Sequence, residues 1–137
     1  MQLSPYLFFA DTCEAAFRFY QQCLGGEIVT MMNHGESPIA GQTPLERHRT
    51  ILHARLDLPD GQVLMGSDAP PEFRRENGGF SLSLGVKQLA EAERLYQALS
   101  QGGTVTMPLQ PTFWSAGFAM LTDRFGTPWM INCEIPA

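Results

Sequence analysis

The sequence predicts an α+β fold built from two βαβββ modules in a single domain. The first observation is an internal repeat. Residues Ser4 to Gly26 read as an extended apolar run, an amphipathic helix and a Gly-Gly exit, and Phe80 to Gly103 read the same way. Ala16, Phe19, Tyr20 and Cys23 match Ala92, Leu95, Tyr96 and Leu99 at a constant offset. A repeat constrains the fold before any single motif does, and two copies are too few for a solenoid. The second observation is that each helix is followed by three short strand-like runs. The expected result is a pseudo-symmetric domain with a site between the copies. Module one spans residues 1–68, a linker 69–79 and module two 80–137.

The elements follow in order. A strand over 4–10 leads to Asp11, which reads as an N-cap, with Glu14 three residues on completing a capping box. The helix runs to Leu24 with one apolar stripe, and Gly25 supplies its left-handed exit. A strand covers Glu27 to Asn33. The stretch His34 to Arg49 has no periodicity, and a loop of that length in a compact domain often serves function. Thr50 to Asp57 alternates: Leu52, Ala54 and Leu56 face one way, and Ile51, His53, Arg55 and Asp57 the other. Pro59-Asp60-Gly61 makes a turn, and Gln62 to Ser67 returns antiparallel. In module two the expected elements are a strand over 80–86, a helix over 88–101, and strands near 104–107, 117–122 and 128–133.

Composition narrows the functional classes. A hydrophobic content of 44% against 17% charged excludes a disordered chain. The net charge of −5, with no basic cluster beyond Arg74-Arg75, argues against nucleic acid as a partner. No apolar run reaches the roughly 20 residues of a membrane span, and the N-terminus lacks a basic leader. Cys13, Cys23 and Cys133 are odd in number without CxxC spacing, so reduced thiols in a cytoplasmic protein are expected.

Alternation also nominates a site. The sheet faces turned away from the helices should carry His53, Arg55, Met65, Ser67, Ser81, Ser83, Met130 and Asn132. A few polar groups among apolar ones are the lining expected of a small-molecule cleft, and a partly solvated sheet face is the plain alternative. His53 is the candidate for acid–base work, because imidazole titrates near neutral pH, and a structural histidine bonded to a neighbouring strand is the equal alternative. Glu36 is the candidate catalytic partner of His53; Glu36 and Asp68 could orient or pair with His53 or Arg55, and either could equally be a solvated loop charge or a turn cap. Arg55 would favour an anionic or carbonyl-rich ligand, unless it merely pairs with Asp57 or Glu36. Phe9 and Trp114 are candidate ligand walls; Phe113 and Trp114 would serve equally at a dimer interface.

The segments CEAAFRFYQQCLGGEI, GESP, LHARL, VLMGSDAP, TFW and GFAMLTDRFGTPWMIN together resemble the vicinal oxygen chelate superfamily of glyoxalase I, bleomycin-resistance proteins and extradiol dioxygenases, and its PhnB-like branch most closely. The resemblance covers essentially the whole chain. It implies a glyoxalase-like fold whose modules curve into an open, U-shaped barrel, commonly as a homodimer. It does not imply one reaction. Metal-dependent members carry four His or Glu ligands on inward-facing strands. The matching positions here are Pro5, Met65, Ser81 and Met130, so no metal or other cofactor is expected. A noncanonical site from His34, Glu36 and His53 is the alternative, and would suit a metal-dependent glyoxalase or dioxygenase. The quinone methyltransferase label attached to some PhnB-like sequences finds no glycine-rich cofactor loop here. The function expected is lyase- or isomerase-type acid–base chemistry on a small molecule, or non-catalytic sequestration of an antibiotic-type ligand.

Overall fold

A computed structural model describes residues 1–136. These form two compact units that meet at Arg75–Glu76, inside the expected linker. The first contains β1 (Tyr6–Phe9), α1 (Cys13–Leu24), β2 (Glu27–Asn33), β3 (Ile51–Asp57) and β4 (Val63–Asp68). The second contains β5 (Leu82–Val86), α2 (Leu89–Leu99), β6 (Thr104–Gln110), β7 (Gly117–Thr122) and β8 (Pro128–Cys133). Each unit is one four-stranded sheet, ordered β1-β4-β3-β2 and β5-β8-β7-β6. In both, the first strand runs parallel to the last and the remaining pairs are antiparallel.

In the first unit the sheet buries one face under α1. Leu7 and Phe9 alternate inward from β1, with Tyr6 and Phe8 exposed. Phe9 packs against Phe17 and Tyr20 of α1 at ring-centroid distances of 6.2 and 6.4 Å. Ala54 and Leu56 are fully buried, as their alternation requires. Gly66, paired with Ala54, faces Phe17 so closely that a Cβ there would lie 2.8 Å from its ring. A side chain at that position would push the helix off the sheet. At the start of β3 the expected parity fails: Ile51 is buried and Leu52 only half-buried. The β2–β3 register shifts between Met32 and Asn33, and the Ile51 amide donates to Asp68, which turns Ile51 inward.

The start of α1 also differs from the expected capping box. Thr12 is the N-cap residue and its side chain caps nothing. Asp68, at the end of β4, accepts a hydrogen bond from the Cys13 amide at 2.9 Å instead. A carboxylate from another strand therefore satisfies the first helical donor and meets the positive end of the helix. Glu14 pairs with Arg18 along the helix. Asp11 sits at φ +67°, a conformation rare outside glycine, and its carboxylate pairs with Arg47 at 2.7 Å and Arg74 at 2.9 Å.

The 34–49 stretch is ordered by three short 3-10 turns and by its own histidines. His34 Nδ1 bonds the Thr50 carbonyl and hydroxyl, and His48 Nε2 bonds the Ala40 and Thr43 carbonyls. Gly35 passes 3.1 Å from the His48 side chain, measured from where its Cβ would stand.

In the second unit Trp129, Ile131, Ala119 and Leu121 form the face under α2. Asp123, almost fully buried, accepts from the Phe125 and Thr127 amides and from the Trp129 indole at 2.8, 3.1 and 2.9 Å. The 123–126 turn is thus pinned to the core. Strand β6 is longer than expected because Pro108 is accommodated. It is an edge strand, where the missing N–H costs no ladder bond, and the register shifts across it.

Candidate functional site

The helix-free face of the first sheet follows from register. Tyr6 pairs with Met65, Met65 with Arg55, and Arg55 with Thr30. One step along, Phe8 pairs with Ser67, and Met32 with His53. Paired residues point to the same side of a sheet. Since Gly66 and Ala54 face α1, the row Tyr6, Met65, Arg55 faces away. His53, Arg55 and Met65 are half-buried, and Tyr6, Phe8 and Met32 are exposed at 38%, 58% and 38%. Three large apolar side chains left open beside an imidazole and a guanidinium form a surface that a solvated face does not need.

His53 has a partner that the sequence did not suggest. The Tyr6 hydroxyl lies 3.2 Å from His53 Nδ1, and the two rings stack at a centroid distance of 5.8 Å and an interplanar angle of 20°. Tyr6 lies on an adjoining part of the sheet but far away in sequence, so only the parallel β1–β4 pairing reveals it. Arg55 Nε donates to Asp57 at 2.6 Å. That hydrogen bond, then the Asp57 charge, raises the guanidinium above its already high range against a small opposing effect of desolvation. Arg55 is therefore a cation ion-paired with Asp57, the plain alternative the sequence left open.

Three expectations change. Phe9 is not a ligand wall: it is buried under α1, and Phe8 is the exposed aromatic of β1. Glu36 does not touch His53; its carboxylate accepts from the Asn33 amide while Asn33 caps Glu36, a closed capping box. Asp68 pairs with neither His53 nor Arg55, since its two oxygens hold the Cys13 and Ile51 amides. Burial, then Asp68 and Glu14, pushes the Cys13 thiol far above its ordinary range, so it is a packing residue rather than a nucleophile. Ser67 shares the parity of Met65 but is 7% exposed, leaving little surface for a ligand.

The second sheet has its own helix-free face. Ser83 pairs with Met130, Met130 with Met120, and Asn132 with Phe118. Trp114 stands edge-on to Phe118 at 5.3 Å and is 47% exposed. Asn132 Oδ1 is buried without a hydrogen-bond partner, an uncommon state for an amide oxygen. Ser81 precedes β5 and is half-buried.

The donors present do not fit the superfamily's metal. Register sets Tyr6 beside Met65 and Ser83 beside Met130, so the facing pairs are hydroxyl and thioether. Such a set suits no hard divalent ion. His34 and Glu36 are committed to Thr50 and Asn33, and among the described residues no group of three His, Cys, Asp or Glu side chains comes together.

Two surface hollows lie elsewhere. One of about 510 Å³ runs between α2 and Leu109, and one of about 440 Å³ lies between the start of α1 and Arg49. Neither is lined by His53, and both have charged, helix-side walls.

A pair of βαβββ units, each with a helix on one sheet face and the other left open, defines the architectural class. The chain belongs to the Glyoxalase/Bleomycin resistance protein/Dioxygenase superfamily, whose family model matches residues 2–131. It is 38% identical to Protein YjdN of Escherichia coli strain K12 over 96% of this chain and 95% of that one. Among solved structures it is similar to protein PA1353 from Pseudomonas aeruginosa, with 47% identity, 98% coverage of each chain and a TM-score of 0.90. A PhnB protein from Bacillus cereus shares the fold at 24% identity and a TM-score of 0.81, over 97% of this chain and 99% of that one. No helix among the described residues is long and apolar enough to cross a membrane.

Proposed function

We propose that the protein binds a small molecule bearing a carbonyl or carboxylate oxygen on the helix-free face of the first sheet, and acts on it by metal-independent acid–base chemistry of the lyase or isomerase type through His53. The carrying observation is His53 and Arg55 set on one sheet face among exposed Tyr6, Phe8 and Met32. Arg55 supplies charge for an oxygen anion, the aromatic and thioether groups supply apolar contact, and His53 supplies an imidazole for proton transfer.

The test is native mass spectrometry of the protein as purified, followed by turnover and affinity measurements on whatever co-purifies. An enzyme of this kind loses turnover in His53→Gln while keeping ligand affinity. If His53→Gln turns over its ligand as the parent does, the acid–base assignment is wrong. A second reading, sequestration without chemistry, is favoured by one observation: His53 contacts a phenol and no carboxylate. Under that reading His53→Gln changes affinity alone. We further propose that the protein needs no divalent metal, because the positions matching the superfamily's ligands, Pro5, Met65, Ser81 and Met130, carry no imidazole or carboxylate. Elemental analysis after dialysis should find far less than one Ni, Zn, Fe or Mn per chain; about one per chain would overturn this.

A further inference from the structure

We propose that Tyr6 is a positioning residue that fixes the tautomer of His53, holding its proton on Nε2 so that neutral His53 offers the ligand a hydrogen-bond donor rather than a lone pair. The inference rests on the reading of this face as the ligand site and sharpens it.

The geometry carries the argument. The Tyr6 hydroxyl is 3.2 Å from Nδ1 with the rings stacked, and among the described residues this is the one hydrogen bond of the imidazole. A phenol donates well and accepts poorly, because its oxygen lone pair is delocalised into the ring. A neutral imidazole has one nitrogen that donates and one that accepts. The favourable assignment is therefore O–H donating to Nδ1, which leaves the proton on Nε2. Tyr6 is held for this by the β1–β4 pairing, which sets it beside Met65, and by its contact with Phe8 at 5.2 Å.

The other histidines show the contrast. A carbonyl can only accept, so His34, bonded through Nδ1 to the Thr50 carbonyl, carries its proton on Nδ1. His48, bonded through Nε2 to the Ala40 and Thr43 carbonyls, carries its proton on Nε2. Both protons are used up inside the loop. Among the described residues, none accepts a hydrogen bond from His53 Nε2, in contrast to the donating nitrogens of His34 and His48. Together with the Arg55 guanidinium on the same face, the Nε2–H makes two donors aimed at oxygen acceptors. The chemistry follows: neutral His53 meets a ligand carbonyl or carboxylate through Nε2–H as a hydrogen-bond donor, and transfer of a proton to that oxygen requires the imidazolium form.

The experiment is a long-range proton–nitrogen correlation of the three histidine rings in the ¹⁵N-labelled protein at a pH of about 8, where an ordinary imidazole is neutral. His53→Gln identifies the His53 signals by their loss. The expected result is an unprotonated Nδ1 and a protonated Nε2 for His53. In Tyr6→Phe the His53 Nδ1 signal should shift toward the tautomer mixture of a free imidazole, while His34 and His48 stay in place. A wild-type proton on Nδ1 overturns the proposal without any variant, and so does a Tyr6→Phe spectrum with His53 unmoved. Either result leaves the ligand-binding reading of the face standing, and a failure to find a ligand leaves the tautomer result standing.

Discussion

Replacing Asp68 should cost more stability than replacing any residue of the helix cap that it substitutes for. Its carboxylate is 5% exposed and accepts the Cys13 amide at 2.9 Å and the Ile51 amide at 2.8 Å. One oxygen closes the start of α1, and the other fixes the start of β3. Hydrogen bonds to a charged group contribute about 1.5–3 kcal/mol each, and a carboxylate near a helix N-terminus adds about 0.5 kcal/mol. Asp68→Ala removes both acceptors and leaves two amides unpaired, so a loss of about 3–5 kcal/mol is expected. Asp68→Asn keeps one acceptor and turns an NH₂ toward the other amide, so about 2–3 kcal/mol is expected. At roughly 3 °C per kcal/mol for a chain of this size, the alanine variant should melt about 10–15 °C lower. Urea unfolding followed by circular dichroism reads both variants, with the slope unchanged. Thr12→Ala is the control: its side chain caps nothing, so it should change stability by less than about 0.5 kcal/mol. A loss under 1 kcal/mol for Asp68→Ala, or a larger loss for Thr12→Ala, would show that the helix is capped locally and refute the reasoning.

Phe8 and Phe9 should respond oppositely to alanine: about 3–5 kcal/mol lost at buried Phe9, under 1 kcal/mol at exposed Phe8, both read by urea unfolding. Partial burial alone would raise the pKa of the Asp11 carboxyl, but the hydrogen bonds and charges of Arg47 and Arg74 outweigh it and hold the carboxyl below the usual carboxylate range. Stability from these ion pairs is then complete above the unfolded pKa of about 3.9 and lost as pH falls through the lower folded value. Because Asp11 is 45% exposed, Asp11→Asn should cost about 1 kcal/mol or less at pH 7, and its gap to the parent should close in acid; a gap that persists below that range would assign the cost to the backbone at φ +67° instead. Outer strands such as β2 and β6 invite pairing or cover, and a homodimer would supply it. Light scattering at micromolar concentration should give about twice the 15.2 kDa chain mass, and a monomer mass would count against this.

Much of the fold was legible because its signals are local. The strands at 27–33, 117–122 and 128–133 and both helices stand where periodicity and the glycine exits put them. Gly25, at φ +80°, ends α1 as a glycine there should. What periodicity could not supply was parity at strand ends. Phe8 and Phe9 are chemically identical neighbours, and nothing in β1 alone says which one meets α1. The answer lies in Phe17 and Tyr20, one helix away. Leu52 was assigned inward by alternation that a register shift in β2 cancels.

The site shows the same division. His53, Arg55 and Met65 share a face because β3 and β4 are consecutive and antiparallel, a geometry that alternation reads directly. Tyr6 was missed because β1 joins β4 in parallel, across α1, β2, β3 and the whole 34–49 stretch. No spacing rule links residues through a crossover of that length. Acidic candidates failed for a related reason. Glu36 and Asp68 have strong uses close at hand, in unpaired backbone amides at a turn and at a helix start, and those amides outcompete a distant imidazole. The general lesson is that a carboxylate beside an element boundary is first a cap. A histidine whose near neighbours are all side chains of strand interiors has no such local claim on it. That is the physical reason His53, unlike His34 and His48, bonds a side chain of a neighbouring strand rather than main-chain carbonyls of its own loop.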